Sequence, residues 1–328
     1  MYKFLKLLCR ISLSFYYRKI AVNGLEHVPV KGAVLLVANH QNTFLDAVLI
    51  ACTNQRNMHS LARGDVFSNE KVAKFLAKIY MHPIYRFRDG MNNMKKNIMA
   101  MNVAKDVLAD QHMLLMFPEG NHAQTLYLRP LQLGAAKLIK KYFKENDQPV
   151  TVIPVGLNYA AHRYSGGNVI INYAQPIVVN SIEELASKEQ IQSLTNNIAE
   201  GIQKSILHLN ENIYNVEDAL KAKLKMHYEQ KSVRVGVLGS LVNLLDRLNH
   251  LIPFAILTWL QNRVIKDPEF KGAIFFGGGT ALVPLYFLIQ GIAIALIFSN
   301  IAWLFAYLFT AIIIRKIKLF AVKRVDAY

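Results

Sequence analysis

The run Ala33-Val34-Leu35-Leu36-Val37-Ala38 decides the fold class of this 328-residue sequence. A short, continuous apolar run that follows a glycine, here Gly32, is typical of a strand that is buried on both faces of a sheet. Met113–Phe117 and Val150–Val155 repeat the pattern, and each ends at a turn that contains proline. These three runs predict the central strands of a largely buried sheet.

Helical periodicity fills the segments between and after these strands. It covers residues 93–110 and 131–144. Ser181 and Glu184 have the spacing of a capping box, which predicts the start of a further helical stretch toward residue 230. Strands that alternate with helices indicate an α/β fold, in which a mixed sheet is flanked by helices. We assign residues 20–230 to this domain.

A histidine and a carboxylate follow the first predicted strand, in the run Asn39-His40-Gln41-Asn42-Thr43-Phe44-Leu45-Asp46. On a continuous helix, residues six positions apart point about 120° away from each other, so His40 and Asp46 would diverge. They meet only if His40 lies in the turn before a helix that begins near Thr43. Asp46 can then orient His40 as a general base. The spacing from Thr43 to Asp46 is also that of a capping box, which leaves a purely structural role open.

The C-terminal part of the chain predicts membrane association, because residues 272–314 contain no charged side chain. About 20 apolar residues suffice to cross the hydrocarbon core of a bilayer. We predict a transmembrane hairpin at 280–314, within a membrane-associated region at 231–328. A break at Gly277–Gly279 precedes the hairpin. The hairpin consists of a first pass at Thr280–Phe298, a turn at Ser299-Asn300 and a short second pass at Ile301–Ile314.

The charge distribution favours a membrane surface as partner. The chain has 38 Lys and Arg against 22 Asp and Glu, a formal net charge of +16. Basic residues cluster beside the apolar segments, at Lys3–Lys19 and Arg315–Arg324, as they do on the cytoplasmic side of membrane proteins. Because no nucleic-acid-binding motif is present, we expect membrane lipids and not nucleic acid as partners. The α/β domain should lie on the cytoplasmic face of a membrane.

Residues 1–19 predict an amphipathic helix. Basic side chains share one face with Ser14 and Tyr17, and large apolar side chains share another. Such a helix suits the membrane interface, and a surface helix packed on the α/β domain is the alternative. The two faces consist of Lys3, Lys6, Arg10, Ser14 and Tyr17, and of Phe4, Leu8, Ile11 and Phe15.

Three further segments place polar residues or glycine near the ends of strand-like runs. Arginine binds phosphate bidentately, and glycine lets backbone N–H groups approach an anion. Both features suit a phosphorylated substrate. The segments are Pro83–Gly90 with Arg86 and Arg88, Phe117–His122 with Glu119 and Gly120, and Val152–Gly156 with Pro154.

Taken together, the four segments resemble the glycerolipid acyltransferase family, which includes 1-acylglycerol-3-phosphate and glycerol-3-phosphate acyltransferases. The similarity covers roughly residues 20–210. His40–Asp46 is similar to the family's first motif, Pro83–Arg86 to its second, Phe117–Gly120 to its third and Val152–Pro154 to its fourth.

The resemblance implies an O-acyltransferase of phospholipid biosynthesis. A hydroxyl of a glycerol-phosphate-type acceptor would attack an acyl thioester directly, with acyl-CoA or acylated acyl carrier protein as donor and with no cofactor and no metal. Residue by residue, it makes His40 the base and Asp46 its orienting carboxylate, Arg86, Arg88, Glu119 and Gly120 the acceptor site, and Pro154 part of the donor site.

Two departures from the family pattern leave the acceptor open. Five residues separate His40 from Asp46 instead of the usual four, as in some glycerol-3-phosphate and dihydroxyacetone-phosphate acyltransferases. Asn121-His122-Ala123 stands where the family usually has Thr-Arg-Ser, so the arginine of that motif is missing. Arg88 or Arg129 can replace it, or the acceptor is an aminolipid without a phosphate.

Other functions fit the sequence less well. Glu119 and His122 have the spacing of a metal-binding pair, but Pro118 and Gly120 disfavour a helix there and a second such pair is absent. The Gly-x-Ser-x-Gly pattern of serine lipases is also absent. A non-catalytic membrane scaffold would explain the apolar tail but not the ordered polar segments.

Overall fold

The computed structural model describes residues 1–85, 92–125, 127–160, 162, 165–206, 237–263 and 270–321. Within these residues, eight strands form one sheet, and helices cover both of its faces. The strands are β1 (Lys19–Asn23), β2 (Ala33–Ala38), β3 (Met58–Arg63), β4 (Met81–Ile84), β5 (Met113–Met116), β6 (Val150–Tyr159), β7 (Asn168–Tyr173) and β8 (Ile177–Val179). The helices are α1 (Tyr2–Tyr16), α2 (Phe44–Thr53), α3 (Glu70–Ala77), α4 (Asn92–Ala109), α5 (Gly134–Tyr142), α6 (Lys188–Ser205), α7 (Val237–Asn249), α8 (Leu251–Arg263), α9 (Lys271–Ile297) and α10 (Ala302–Ala321).

The strand order is β1-β7-β6-β2-β5-β3-β4, and β8 also pairs with β6. β2 pairs in parallel with β5 and β6, whereas β6 is antiparallel to β7 and β8. The predicted α/β fold with a mixed sheet is therefore confirmed. β2 lies at the centre of the sheet with every residue buried, which explains its continuous apolar sequence.

Side chains on the two faces of the sheet form separate cores. Leu35 and Val37 of β2 point into a core that also contains residues of α4, α5 and α6. Leu36 of β2 points into the opposite core, with residues of α1 and α2 and with Phe276 from α9. The C-terminal apolar region therefore contributes directly to the core of the α/β domain.

The structure corrects two local predictions. The helix that was predicted to start with a capping box at Ser181 and Glu184 begins instead at Lys188. Its capping box is formed by Ser187 and Gln190. Glu184 instead accepts a hydrogen bond from the N–H of Asn180 (2.8 Å), just before this helix.

The break predicted at Gly277–Gly279 is also wrong, because α9 passes through all three glycines without interruption. The glycine at position 278 serves close packing between helices. A Cβ at Gly278 would lie 2.3 Å from Cδ2 of Leu257 in α8, so no larger residue fits there without a shift.

The C-terminal apolar region forms two antiparallel helices, α9 and α10, joined by a turn at Ser299-Asn300. Tyr307 Oη donates a hydrogen bond to Oε1 of Gln290 (2.5 Å) between them. Among the described helices, α9 alone is long and apolar enough to cross a membrane. Only 11% of its most apolar window is buried, which distinguishes it from the core helix of a soluble domain.

The N-terminal helix α1 packs on the end of α2. Lys6 Nζ donates to the carbonyl of Arg56 (3.0 Å), and Arg10 donates to the carbonyls of Cys52 (2.5 Å) and Asn54 (3.2 Å). Two of the predicted basic residues therefore bind the α/β domain. Phe4, Leu7 and Ile11 remain exposed.

Candidate active site

His40 and Asp46 lie where the central strand gives way to helix α2. β2 ends at Ala38, and residues 39–43, which we call the His40 turn, lead into α2. Asp46 occupies the first turn of that helix, and Nδ1 of His40 lies 2.7 Å from Oδ2 of Asp46. The structure thus brings these two side chains together at the carboxyl end of β2, the edge where α/β sheets commonly bind ligands.

Asp46 is fully buried, and its carboxylate accepts hydrogen bonds from four groups. Oδ2 accepts from the N–H groups of Gln41 and Asn42 (2.8 Å each) as well as from His40. Oδ1 accepts from the hydroxyl of Tyr159, which is buried at the end of β6. Because Oδ2 of Asp46 accepts a hydrogen bond from Nδ1, the proton of His40 stays on that nitrogen and Nε2 is the basic atom.

Thr43 does not form the capping box that its spacing to Asp46 allows. Its side chain caps no N–H group of α2, and within the described part of the chain its hydroxyl has no hydrogen-bond partner. The backbone of Thr43 has φ 48°, which is unusual for a β-branched residue. The capping box that would give Thr43 and Asp46 a purely structural role is therefore not formed.

Glu119 holds the backbone of the His40 turn from the turn that follows the neighbouring strand β5. The N–H of His40 donates to its Oε1 (3.4 Å), and Oε2 forms an ion pair with Arg129. Its side chain is only 2% exposed. Burial raises the pKa of Glu119 to about 7, and Arg129 and the His40 N–H act in the opposite direction. The next residue, Gly120, has φ +80°, a conformation that favours glycine.

Aromatic rings surround the His40 imidazole, which is 16% exposed. It stacks on Phe117, with ring centroids 4.0 Å apart and an interplanar angle of 12°. The ring of His122 meets it at an angle of 76° with centroids 5.7 Å apart, and Phe270 contacts His122 in turn. His122 thus lies beside the proposed base, at a position where the family usually has part of Thr-Arg-Ser.

Comparison with known proteins identifies this part of the molecule. Residues 19–158, from β1 through most of β6, match the family model described as Acyltransferase. We refer to residues 19–158 as the acyltransferase domain because of this match. The match confirms the family resemblance predicted from the four segments.

A solved structure is also similar to the chain. It is the 1-acyl-sn-glycerophosphate (LPA) acyltransferase PlsC from Thermotoga maritima, with 16% sequence identity and a TM-score of 0.48. The similarity covers 62% of this chain and 78% of that chain. The chain matches none of the curated proteins with which it was compared.

The acyltransferase domain does not bring every predicted site residue to His40. Arg86 and Arg88 lie outside the described residues. Pro154 packs on α6, where a Cβ at Gly201 would lie 2.6 Å from its Cγ. It alternates along β6 with the residues of the core that contains Tyr159, so it lies on the other face of the sheet. Its role in the donor site stays a prediction from the resemblance.

Arg129, the other candidate for phosphate binding, is already engaged within the acyltransferase domain. It pairs with Glu119 and donates from Nη1 to Oδ1 of Asn121 (2.5 Å). Both Glu119 oxygens also have partners inside the protein, so this carboxylate positions the His40 turn. Among the described residues, no group of three or more His, Cys, Asp or Glu side chains is placed to hold a metal ion.

Two residues of the site were not predicted from the sequence. Tyr159 lies beyond the predicted strand Val150–Val155, and the alternation of that strand was the one available signal for its direction. His162 is fully buried and lies 3.0 Å, through Nε2, from Oε1 of Gln41. No local pattern marks His162, since its partner is more than one hundred residues away in sequence.

Proposed function

We propose that this protein is a membrane-bound O-acyltransferase, which transfers a fatty acyl group from an acyl thioester to a hydroxyl of a glycerol-phosphate-type acceptor in phospholipid biosynthesis. The His40–Asp46 pair carries the proposal. A buried carboxylate orients the imidazole (2.7 Å) at the carboxyl end of the central strand of an acyltransferase domain.

The geometry supports a direct transfer. The acceptor hydroxyl gives its proton to Nε2 of His40 while its oxygen attacks the thioester carbonyl carbon. Asp46 stabilises the imidazolium that forms, because its Oδ2 accepts from Nδ1. The tetrahedral intermediate then collapses, the carbon–sulfur bond breaks and the thiolate takes the proton from Nε2. The products are an ester and a free thiol, and the protein forms no covalent intermediate.

The acceptor we favour is 1-acylglycerol-3-phosphate or glycerol-3-phosphate, with Arg86 and Arg88 as its phosphate ligands. A second candidate is an aminolipid that lacks a phosphate. One observation favours this second candidate: Arg129 is paired with Glu119 and bound to Asn121, so it is not available as a substitute for the missing arginine. The His40–Asp46 pair argues against a non-catalytic scaffold.

Membrane association is supported by α9, which is long and apolar and has only 11% of its most apolar window buried. Lys271 begins this helix, and Arg315, Lys316 and Lys318 lie near the end of α10. Basic residues at these positions favour the cytoplasmic face of a membrane. We therefore propose that the acyltransferase domain lies on that face, where acyl thioesters are made, with acyl-CoA or acylated acyl carrier protein as donor and membrane lipids around it.

The test is an acyl-transfer assay with the full chain in membranes. Labelled acyl-CoA or labelled, acylated acyl carrier protein is combined separately with glycerol-3-phosphate, 1-acylglycerol-3-phosphate and an N-acyl amino acid whose acyl chain carries a hydroxyl, and the ester product is identified. We expect His40→Ala to lower the rate by about 10²- to 10⁴-fold, the usual contribution of a general base. His27→Ala is the matched control, because His27 contacts the Tyr173 carbonyl and not the site.

The outcomes separate the alternatives. Acylation of the phosphorylated acceptors supports the favoured function, and acylation of the N-acyl amino acid alone supports the second. Near-wild-type activity of His40→Ala shows that the mechanism is wrong. If no acceptor is acylated with either donor, the protein is not the acyltransferase proposed here.

A further inference from the structure

The first turn of the apolar helix α9 packs directly on the His40 turn. Gly272 is buried there, and a Cβ in its place would lie 2.3 Å from the carbonyl oxygen of His162 and 3.2 Å from Oδ1 of Asn42. The hydroxyl of Tyr16 in α1 donates to the carbonyl of Gly272 (3.2 Å). The helix therefore approaches the site so closely that only glycine fits without a shift.

Hydrogen bonds continue from this contact to the proposed base. Nδ2 of Asn42 donates to the carbonyl of His162 (3.2 Å), and Nε2 of His162 lies 3.0 Å from Oε1 of Gln41. The backbone N–H groups of Gln41 and Asn42 are the ones that bind Oδ2 of Asp46 (2.8 Å each). Any displacement of the His162 carbonyl would move these two amides and, with them, the carboxylate that orients His40.

Two phenylalanines secure the same helix on either side of Gly272. Phe276 packs edge-on against Tyr16, with ring centroids 5.4 Å apart and an interplanar angle of 90°. Phe270, just before the helix, packs edge-on against His122, with centroids 5.1 Å apart. His122 contacts His40, so α9 adjoins the site both beneath the His40 turn and beside the imidazole.

We propose that the first two turns of α9 are a positioning element for the His40 turn, with Gly272 as the positioning residue. The apolar C-terminal region is then part of the active-site structure and not merely an anchor. This inference rests on the proposed function, because acyl transfer is the activity that it modulates. A displaced turn alters the orientation of His40, so it lowers kcat more than it changes the KM of either substrate.

The decisive comparison is Gly272→Ala against Gly279→Ala in the full chain. Both replace a glycine of α9 with alanine, the residue of highest helix propensity. A Cβ at Gly279 meets no described atom within 4 Å, whereas at Gly272 it clashes. We expect Gly272→Ala to lower kcat by about 10- to 100-fold with little change in either KM, since a displacement of about 1 Å can have that effect. Gly279→Ala should keep wild-type kinetics, and both variants should remain in the membrane fraction.

A second variant and a second readout keep the inference testable. His162→Phe keeps a ring at this buried position but removes the contact with Gln41, so it should lower kcat in the same way. Modification by diethyl pyrocarbonate, followed by peptide mass spectrometry, reports the reactivity of His40 without acyl transfer. It should slow at His40 in Gly272→Ala and stay unchanged at His27.

Each outcome decides something. Equal kcat in the two glycine variants overturns the inference, whether both keep wild-type activity or both lose it alike. If Gly272→Ala does not fold, wild-type kcat in His162→Phe overturns it. If the wild-type protein transfers no acyl group, the proposed function is wrong, and the modification rate at His40 alone decides whether α9 positions the turn.

Discussion

At the scale of single residues, Asp46 depends on a hydrogen-bond donor that lies outside the His40 turn. Tyr159 reaches it from β6, and burial beside that carboxylate raises the pKa of the phenol well above its ordinary value, so the hydroxyl stays a donor. Tyr159→Phe keeps the ring but leaves the buried Oδ1 of Asp46 without this donor. A buried acceptor without a hydrogen-bond partner typically costs about 1–3 kcal/mol of free energy. We therefore expect kcat to fall about tenfold with unchanged KM, measured by steady-state kinetics.

The matched control for this variant is Tyr17→Phe. Tyr17 is buried in the same core, but among the described residues its hydroxyl finds no hydrogen-bond partner. Loss of this hydroxyl should leave kcat unchanged. If the two variants lose activity alike, Tyr159 contributes through packing alone and does not position Asp46.

Glu119 gives the site a pH-dependent stability. Its pKa of about 7 in the folded protein lies above the ordinary value of 4.5, so the folded protein binds this proton more tightly than the unfolded chain. The free energy of unfolding should therefore fall as the pH rises from 4.5 through 7, by about 3 kcal/mol at most. Glu119→Gln does not titrate at this position. The Tm of the wild type minus the Tm of Glu119→Gln should therefore be larger at pH 5 than at pH 8.

Glu70→Gln is a suitable control for that measurement, because Glu70 is an exposed carboxylate paired with Lys74 (2.6 Å). Its Tm difference from wild type should hardly depend on pH. If the Glu119→Gln difference is equally constant, Arg129 keeps Glu119 ionised across the whole range, and the ion pair outweighs burial.

The sequence allowed His40 and Asp46 to be paired because both lie in one local turn, where spacing limits the geometry. Tyr159 and His162 could not be found in that way. Tyr159 reaches Asp46 through the pairing of β6 with β2, and His162 reaches Gln41 from a segment that follows β6. Contacts of this kind depend on the order of strands in the sheet, which local periodicity does not contain.

At the scale of elements, continuous apolar runs predicted only the central strands of the sheet. β2 and β5 are apolar throughout, and the first half of β6 is apolar except for Thr151, because helices cover both faces of the sheet there. β3 (Met58–Arg63) and β7 (Asn168–Tyr173) lie away from the centre and have a more mixed burial pattern. Their sequences resemble those of amphipathic segments, so continuous apolar runs did not reveal them.

Close packing between α9 and α10 makes a further prediction. A Cβ at Gly291 would lie 2.4 Å from Cδ1 of Leu304 in α10. Gly291→Ala gains about 1 kcal/mol of helix propensity, but overpacking typically destabilises by about 1–3 kcal/mol. We expect a lower Tm for Gly291→Ala in detergent and a raised or unchanged Tm for Gly279→Ala. A raised Tm in both variants would show that α10 does not pack on α9 at this point.

At the scale of the whole molecule, the two ends of the apolar helix pair meet the same domain. α9 begins beside the His40 turn, and Arg315 near the end of α10 donates to the carbonyl of Phe15 in α1 (3.1 and 3.0 Å). Asp246 of α7 pairs with Arg315 and Lys318. The turn at Ser299-Asn300 therefore lies at the far end of the pair, and both helix ends should be on the cytoplasmic side.

The length of α9 is sufficient for a full crossing. Its first two turns pack on the acyltransferase domain, and residues 278–297 follow as an apolar segment in which only Phe287, Gly291 and Ala295 are buried. At a rise of about 1.5 Å per residue, that segment spans about 30 Å, the thickness of the hydrocarbon core. A shallow re-entrant hairpin is the alternative, because the apolar part of α10 before Arg315 is shorter.

Labelling with a membrane-impermeant thiol reagent distinguishes the two arrangements. Cys9 and Cys52 are first replaced, and single cysteines are then introduced at Asn300 and at Tyr328. If α9 and α10 cross the membrane, Asn300→Cys should be labelled from outside in intact cells and Tyr328→Cys only after lysis, because both ends of the helix pair carry basic residues that stay cytoplasmic. Protection of both positions in intact cells indicates the re-entrant hairpin. Labelling of Tyr328→Cys from outside requires an odd number of crossings, which contradicts the contacts of Arg315 and Lys318 with α1 and α7 on the domain's own side.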